Sequence, residues 1–153
     1  MDKRNIVLLT LLDLSAAFDT VDHGILIYRL EHSFGIKNKT LNWIKSYLTN
    51  RSQYVSVNGV KSEAVQIECC VPQGSILGPG FYCDYTTPLG TLLRTLLILF
   101  KFYADDTQLQ KSLNPNNASL QLKAVKELEE DIHKISNWMF DNKLKLNGEK
   151  QNF

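Results

Sequence analysis

Two adjacent carboxylates, Asp105 and Asp106, stand in the stretch FYADDTQL (residues 102–109), directly after the apolar run TLLILFKFYA. If that run is a buried strand, ionising both carboxylates is costly, because like charges repel and burial disfavours the charged form. A bound cation would offset this cost. An ordinary polar turn would explain the pair equally well, since aspartate tolerates turn geometry. Taken alone, the pair leaves both interpretations open.

A third carboxylate, Asp13, ends another apolar run near the start of the chain. If the two runs are neighbouring strands, Asp13, Asp105 and Asp106 converge at one end of a sheet. Carboxylate oxygens suit Mg²⁺, which keeps several waters and shares substrate phosphates. Two such ions about 3.5–4 Å apart can activate an attacking oxygen and stabilise a leaving one. The pattern therefore raises the hypothesis of a two-metal site.

The elements that would position these residues follow from apolar periodicity and from cap and turn signals. Residues 6–14 and 96–104 read as strands covered on both faces, because they are almost continuously apolar. The other predicted elements are a helix from Asp22 to about Phe34, a helix over 39–49, a hairpin over 52–70 turning at Asn58-Gly59, a helix within 76–86, a turn at Asp105-Asp106, a returning strand over 107–112, an amphipathic helix capped by Asn117 and a short strand over 143–146. Antiparallel strands with helices on one side of the sheet predict an α+β fold.

Composition narrows the class of protein. The chain has 153 residues with 44% hydrophobic content, which is enough for one domain with a core. Its formal net charge of +1 neither favours nor excludes a nucleic-acid partner. Three cysteines without C-x-x-C spacing predict neither a disulfide framework nor a zinc site, and they favour an intracellular location in the cytoplasm or nucleus. No apolar run reaches the length of about 20 residues that spans a bilayer, so no membrane association is expected.

Four segments in this order resemble one enzyme family. LDLSAAFD (12–19), VPQGSILGP (71–79), FYADDTQ (102–108) and NKLKLNGEK (142–150) are similar to the palm domain of reverse transcriptases, most closely those of non-LTR (LINE-type) retrotransposons. The resemblance implies a polymerase palm with a ferredoxin-like core and RNA-directed DNA polymerisation by two-metal nucleotidyl transfer. It also implies two Mg²⁺ ions, with Mn²⁺ as a substitute, and an RNA template, a DNA primer and dNTPs as partners. It implies nothing about oligomeric state.

The resemblance assigns catalytic roles residue by residue. Asp13 and Asp105 match the two principal metal-binding aspartates, and Asp106 matches a neighbour that is often a weaker ligand. Lys150 matches a lysine that protonates or neutralises the leaving pyrophosphate. A solvated surface lysine is the other interpretation of Lys150.

Other positions match substrate-binding residues of the family. Phe18 stands where a bulky side chain crowds the 2′-hydroxyl of a ribonucleotide; otherwise it would be a core aromatic. Gln73 and Gly74 match the loop that touches the incoming nucleotide and template, which is otherwise a plain turn. Tyr103 would lie near the primer end or pack in the sheet.

Parts of the chain depart from the family pattern. GFYCDYTTP (80–88) is less apolar than the helix expected there. Fingers and a thumb would normally flank the palm, so we expect residues 1–153 to be a partial palm domain with fingers and thumb largely missing. Such a segment should polymerise poorly alone and bind nucleic acid weakly and in a salt-sensitive way. The alternatives are a non-catalytic retrotransposon remnant that binds nucleic acid or protein, or has no function, and a metal-binding regulatory domain.

Overall fold

The computed structural model describes residues 6–147. In chain order the elements are β1 (Ile6–Leu12), β2 (Leu14–Ser15), α1 (His23–His32), α2 (Asn38–Leu48), β3 (Arg51–Gln53), β4 (Ser56–Val57), β5 (Val60–Lys61), β6 (Val65–Ile67), α3 (Gly78–Thr95), β7 (Leu99–Tyr103), β8 (Asp106–Leu113), α4 (Ala118–Asp141) and β9 (Lys145–Leu146). Contacts group these elements into two compact units. The first unit contains the residues up to 17 and those from 86 onwards, and the second contains residues 18–85.

The first unit is built on an antiparallel sheet with strand order β1-β8-β7. Alternate residues of β1 and β8 point into the core, among them Leu12 and Leu109. Helix α4 packs on this face with Leu128, Ile135 and Met139 buried. The Lys111 ammonium of β8 lies 2.9 Å from the Glu127 carboxylate of α4, and this bond lowers the pKa of Glu127. Apolar burial therefore holds α4 on the sheet, and the ion pair adds little because it is partly exposed.

The opposite face of this sheet is open to solvent, which corrects one expectation. Leu9 and Leu11 of β1 are each 49% exposed, and β7 has no buried residue. The apolar runs had predicted strands covered on both faces. With α4 on one face only, every second apolar side chain of β1 remains accessible instead.

The second unit contains two helices and one interrupted β-hairpin. Helices α1 and α2 pack together through buried leucines and isoleucine, including Leu26, Leu30 and Ile44. Strand β3 pairs with β6, and β4 pairs with β5. The β4–β5 turn uses Asn58 and Gly59, both with positive φ, as an Asn-Gly hairpin requires. The predicted helices and the predicted turn of this unit are confirmed.

Helix α3 is longer than the sequence predicted. It runs to Thr95 and contains Pro88, although an internal proline removes one backbone hydrogen bond. The buried side chains of Tyr82, Tyr85, Leu89 and Leu93 recur at spacings of three and four. Their burial along one face outweighs the local penalty, since tertiary packing routinely overrides helix propensity.

Mixed helices and antiparallel sheets, with helices on one face of the main sheet, confirm the predicted α+β class. Within residues 6–147, no helix combines the length and the hydropathy needed to cross a membrane.

Candidate active site

The three carboxylates lie at one end of the first unit's sheet. Leu12 pairs with Thr107, so Asp13 follows β1 at the end where β8 begins. Tyr103 pairs with Asp106, so the β7–β8 hairpin turns through Ala104 and Asp105 at the same end. The backbone thus brings the ends of two apolar strands together, as the sequence had suggested.

The hairpin corrects the predicted turn by one residue. Asp106 is the first residue of β8 and not part of the turn, while Ala104 takes a left-handed conformation with φ of 52°. A positive φ at a non-glycine residue is uncommon and occurs in tight turns and at functional sites. Asp105 is half-buried and Asp106 is exposed. The pair is therefore not buried, which corrects the expectation of two carboxylates at a buried strand end.

Asp13 accepts two hydrogen bonds from Asn147, one to its side chain and one to its backbone carbonyl. The side-chain amide of Asn147 donates to Asp13 Oδ2 at 2.9 Å. The Asn147 backbone N–H donates to the Asp13 carbonyl, also at 2.9 Å. The β2–β9 pair, with Leu14 opposite Leu146, lies beside this contact. Asn147 is thus a site residue that sequence reasoning missed, because the Asn-Gly dipeptide suggested only the end of a strand.

The side chains do not form a complete metal site. In the described part of the chain, no three Asp, Glu, His or Cys side chains are grouped so that they could hold a metal ion. The donor type suits Mg²⁺, since carboxylate oxygen is its preferred protein ligand. The sheet therefore brings the backbone positions of these three aspartates to one end. Their side chains would have to turn towards a common ion to bind it.

Phe18, in the second unit, has one ring face covered. Its ring stacks on that of Tyr82 with centroids 4.9 Å apart and planes 26° from parallel. Tyr82 is 3% exposed, whereas Phe18 is only half-buried. Phe18 is therefore a half-buried aromatic residue that packs against Tyr82, and not a fully buried core residue.

Gln73 and Gly74 lie in a turn that is tied to the segment after Phe18. The Val71 N–H donates to the Phe18 carbonyl and the Cys70 N–H donates to the Val21 carbonyl, each at 2.9 Å. His23 Nε2 lies 2.8 Å from the Cys70 carbonyl and must donate to it, since a carbonyl only accepts. These three hydrogen bonds hold residues 69–71 beside residues 18–23.

The turn itself depends on glycine. Gly74 has φ of +75°, a conformation that strains other residues. Gly78, where α3 begins, donates to Ser75 Oγ at 2.9 Å, and a Cβ there would lie 3.0 Å from the Pro72 carbonyl oxygen. The Gln73 side-chain amide donates to Asp19 Oδ1 at 3.5 Å, a long and exposed contact. Gln73 is therefore only lightly held and can turn towards a ligand.

His23 provides a testable link in this part of the second unit. His23→Leu should raise hydrogen exchange at the Cys70 and Val71 amides by about fivefold, since one hydrogen bond contributes about 1 kcal/mol. His23→Gln keeps a side-chain N–H donor and should stay close to the original exchange rate. Hydrogen exchange with mass spectrometry of a peptide covering these amides measures both variants. Unchanged exchange in His23→Leu would show that the contact does not hold the segment.

The last two predicted site residues are Tyr103 and Lys150. Tyr103 is the last residue of β7 and is 74% exposed, so it does not pack into the buried face of the sheet. Lys150 lies outside the described residues. Its role stays a prediction.

Comparisons with known proteins agree with these motifs. The family described as reverse transcriptase (RNA-dependent DNA polymerase) matches residues 1–153. The chain is 31% identical over 155 residues to the RNA-directed DNA polymerase from mobile element jockey of Drosophila melanogaster, covering 98% of this chain and 16% of that protein. It is 31% identical over 144 residues to the probable RNA-directed DNA polymerase from transposon BS of the same organism, covering 91% of this chain and 15% of that one.

A solved structure shows the same fold. Apo telomerase from Candida tropicalis, truncated from the C-terminal domain, superposes with a TM-score of 0.68 at 18% identity. The match covers 95% of this chain and 30% of that one. The full-length family match and the mobile-element relatives confirm the resemblance to non-LTR enzymes predicted from the four segments. The chain belongs to the reverse transcriptase family.

Proposed function

We propose that this chain acts as the palm portion of an RNA-directed DNA polymerase, adding dNTPs to a DNA primer on an RNA template. The observation that carries the proposal is the strand register, which brings Asp13 and the Ala104-Asp105 turn to one end of the same sheet. The chain spans only 16% of the jockey polymerase. The proposal therefore includes fingers and a thumb that belong to a longer protein.

The carboxylates of Asp13, Asp105 and Asp106 are proposed as the metal-binding groups. Two Mg²⁺ ions, or Mn²⁺ in their place, would supply charge stabilisation for the attacking and leaving oxygens. Asn147 is proposed to position Asp13, because its side-chain amide donates to Asp13 Oδ2 and its backbone N–H donates to the Asp13 carbonyl, each at 2.9 Å. Asp106, which is exposed, is proposed as the weaker of these ligands.

The remaining residues are proposed to bind substrates. Phe18 would exclude a 2′-hydroxyl, supported by the ring of Tyr82. Gln73 would contact the nucleotide or template by turning away from Asp19, and Gly74 would let the substrate approach closely. Tyr103 would meet the primer end from its exposed position on β7. Lys150 would neutralise the leaving pyrophosphate.

A second function is favoured by one observation. The open sheet face carries exposed Val7, Leu9 and Leu11, and in a chain acting alone such a face would favour association with another protein. In that case the chain is a non-catalytic remnant. Catalysis in a reconstituted enzyme separates the two functions.

The test is a chimera in which this chain replaces the matching segment of the jockey polymerase, here called the jockey chimera. We expect the jockey chimera to extend a DNA primer on an RNA template, because the palm elements would then have fingers and a thumb to hold the duplex. The isolated 153 residues should extend the primer at least about a thousandfold more slowly, since positioning supplies much of the rate. A folded jockey chimera without extension would favour the remnant.

A further inference from the structure

Basic charge is concentrated in one segment of the second unit. Residues 32–62 contain five of the 17 Lys and Arg residues and none of the 16 Asp and Glu residues. These five are Lys37, Lys39, Lys45, Arg51 and Lys61. The chain as a whole carries only +1, so the rest of it is acidic on balance. This segment contains all of α2 and is the part of the chain that would attract a polyanion.

Aromatic side chains lie on α2 within this basic segment. The Trp43 ring stacks on that of Tyr47 with centroids 5.9 Å apart and planes 16° from parallel. The centroid of the Tyr47 ring lies 6.3 Å from that of Phe81, which is 6% exposed. Trp43 itself is 55% exposed. The rings form a column that starts in the core and ends with an accessible indole at the surface.

Cationic residues continue the line of this column. Lys39, Trp43 and Tyr47 are spaced by four residues and share a face of α2, covering about 12 Å along the axis. The Arg51 guanidinium lies 5.9 Å from the centre of the Tyr47 ring. We call these four residues the α2 stripe. The buried residues of α2 are Leu41, Ile44 and Leu48, so the exposed Lys39 and Trp43 lie outside the buried face of the helix.

We propose that the α2 stripe binds single-stranded nucleic acid, with an unpaired base stacked on the outer face of Trp43 and phosphates against Lys39 and Arg51. Aromatic rings beside a basic track are how proteins bind single strands without sequence preference. A duplex offers no unpaired base face for stacking, which favours a single strand. The absence of acidic residues over 32–62 favours a polyanion over a basic or neutral protein surface.

The residues of the α2 stripe belong to the second unit, and the proposed metal-binding carboxylates belong to the first. The inference rests on the proposed function only for the class of partner, a template strand. Binding at the stripe needs no metal ion and no catalytic step. The inference can therefore be tested on the whole 153-residue chain without measuring polymerisation.

The test measures fluorescence anisotropy of a fluorescein-labelled twelve-residue oligouridine with the whole chain at low salt. Trp43→Ala should weaken binding by about tenfold, the typical loss for one stacking aromatic. Arg51→Gln should weaken binding less and should lower the slope of log affinity against log salt by about 0.7, the change for one phosphate contact on a single strand. Phe140→Ala and Lys126→Gln are matched controls, because both residues are exposed on α4 in the first unit. Neither control should change binding.

Intrinsic fluorescence gives a second readout that reports stacking directly. The chain has two tryptophans, Trp43 and Trp138. In Trp138→Phe, Trp43 is the only one left, and its emission should be quenched as oligouridine is added. A double-stranded RNA of the same length should quench it far less.

Three results would overturn the inference: no binding of oligouridine, equal binding by Trp43→Ala, or equal loss in the α4 controls. A change in sedimentation of Trp43→Ala without a change in oligonucleotide binding would also overturn it, since it would assign the stripe to a protein partner. Oligouridine binding is measured on the chain alone, without dNTPs and without a catalytic step. Failure of the jockey chimera to polymerise would thus count against the proposed function while leaving the stripe intact.

Discussion

Asp105→Asn in the jockey chimera should lower dNTP incorporation by at least about a thousandfold. The amide keeps the size and planar shape of the carboxylate but lacks the negative charge needed to hold Mg²⁺ against a triphosphate. Metal-ion stabilisation of the transition state is worth several kcal/mol, and each 1.4 kcal/mol is about a tenfold change in rate. Single-turnover primer extension on an RNA template measures the effect.

Two other aspartates calibrate this result. Asp141→Asn changes an exposed aspartate at the end of α4 and should leave incorporation unaltered. Asp106→Asn should reduce incorporation less than Asp105→Asn, since Asp106 is exposed and is proposed as the weaker ligand. Normal turnover by Asp105→Asn would mean that the β7–β8 turn does not bind the metals, and the proposed site would fail with it.

Features of the fold that depend on residues close together in the sequence were predictable from the sequence. The caps are examples, because Asp22 accepts from the Ile25 N–H and Asn117 accepts from the Leu120 N–H, as short polar side chains do at helix starts. Leu41, Ile44 and Leu48 face inward on α2 because the helical repeat puts them on one side. These signals are local, so one sequence is enough to find them.

Burial of the strands was not predictable in the same way. An apolar strand reads alike whether one or both faces are covered, and Leu9 and Leu11 stay half-exposed because α4 covers only the other face. Asp131 shows the opposite error. It lies in the charged stretch KELEEDIHK (126–134), whose composition is typical of a solvated helix face. Yet Asp131 is 8% exposed, and its carboxylate lies 2.9 Å from the Lys134 ammonium. Both errors concern what packs against an element, which depends on residues far away in the chain.

The candidate site also has a part that the sequence predicts and a part that only the fold shows. Its residue types and their order along the chain were recognisable as motifs, and the register brings Asp13 to the hairpin as expected. The supporting contacts were not recognisable, because Asn147 lies 134 residues from Asp13 and Cys70 lies 47 residues from His23. Asparagine and histidine make such contacts in many proteins, and only the fold shows which partners they meet.

Phe18→Ala should have the second-largest effect, on sugar selectivity and not on rate. Removing the ring opens space for a 2′-hydroxyl in front of Tyr82, so the jockey chimera should accept ribonucleotides more readily. The preference for dNTP over rNTP should fall by about a hundredfold, the usual scale for steric rejection of one added hydroxyl. The carboxylates proposed to bind the metals belong to other elements, so incorporation of dNTPs should persist. The ratio of kcat/KM values for a matched dNTP and rNTP pair measures the effect.

Phe18→Tyr is the matched control, because it keeps the ring and its stacking on Tyr82, whose centroid lies 4.9 Å from that of Phe18. It should keep the preference for dNTPs close to that of the unmodified chimera. Loss of dNTP incorporation in Phe18→Ala, with unchanged selectivity in the activity that remains, would instead identify Phe18 as a packing residue of the second unit. Low selectivity in Phe18→Ala together with normal selectivity in Phe18→Tyr would identify the ring itself as the barrier. The reason is that the two variants differ in the ring that would occupy the space of a 2′-hydroxyl.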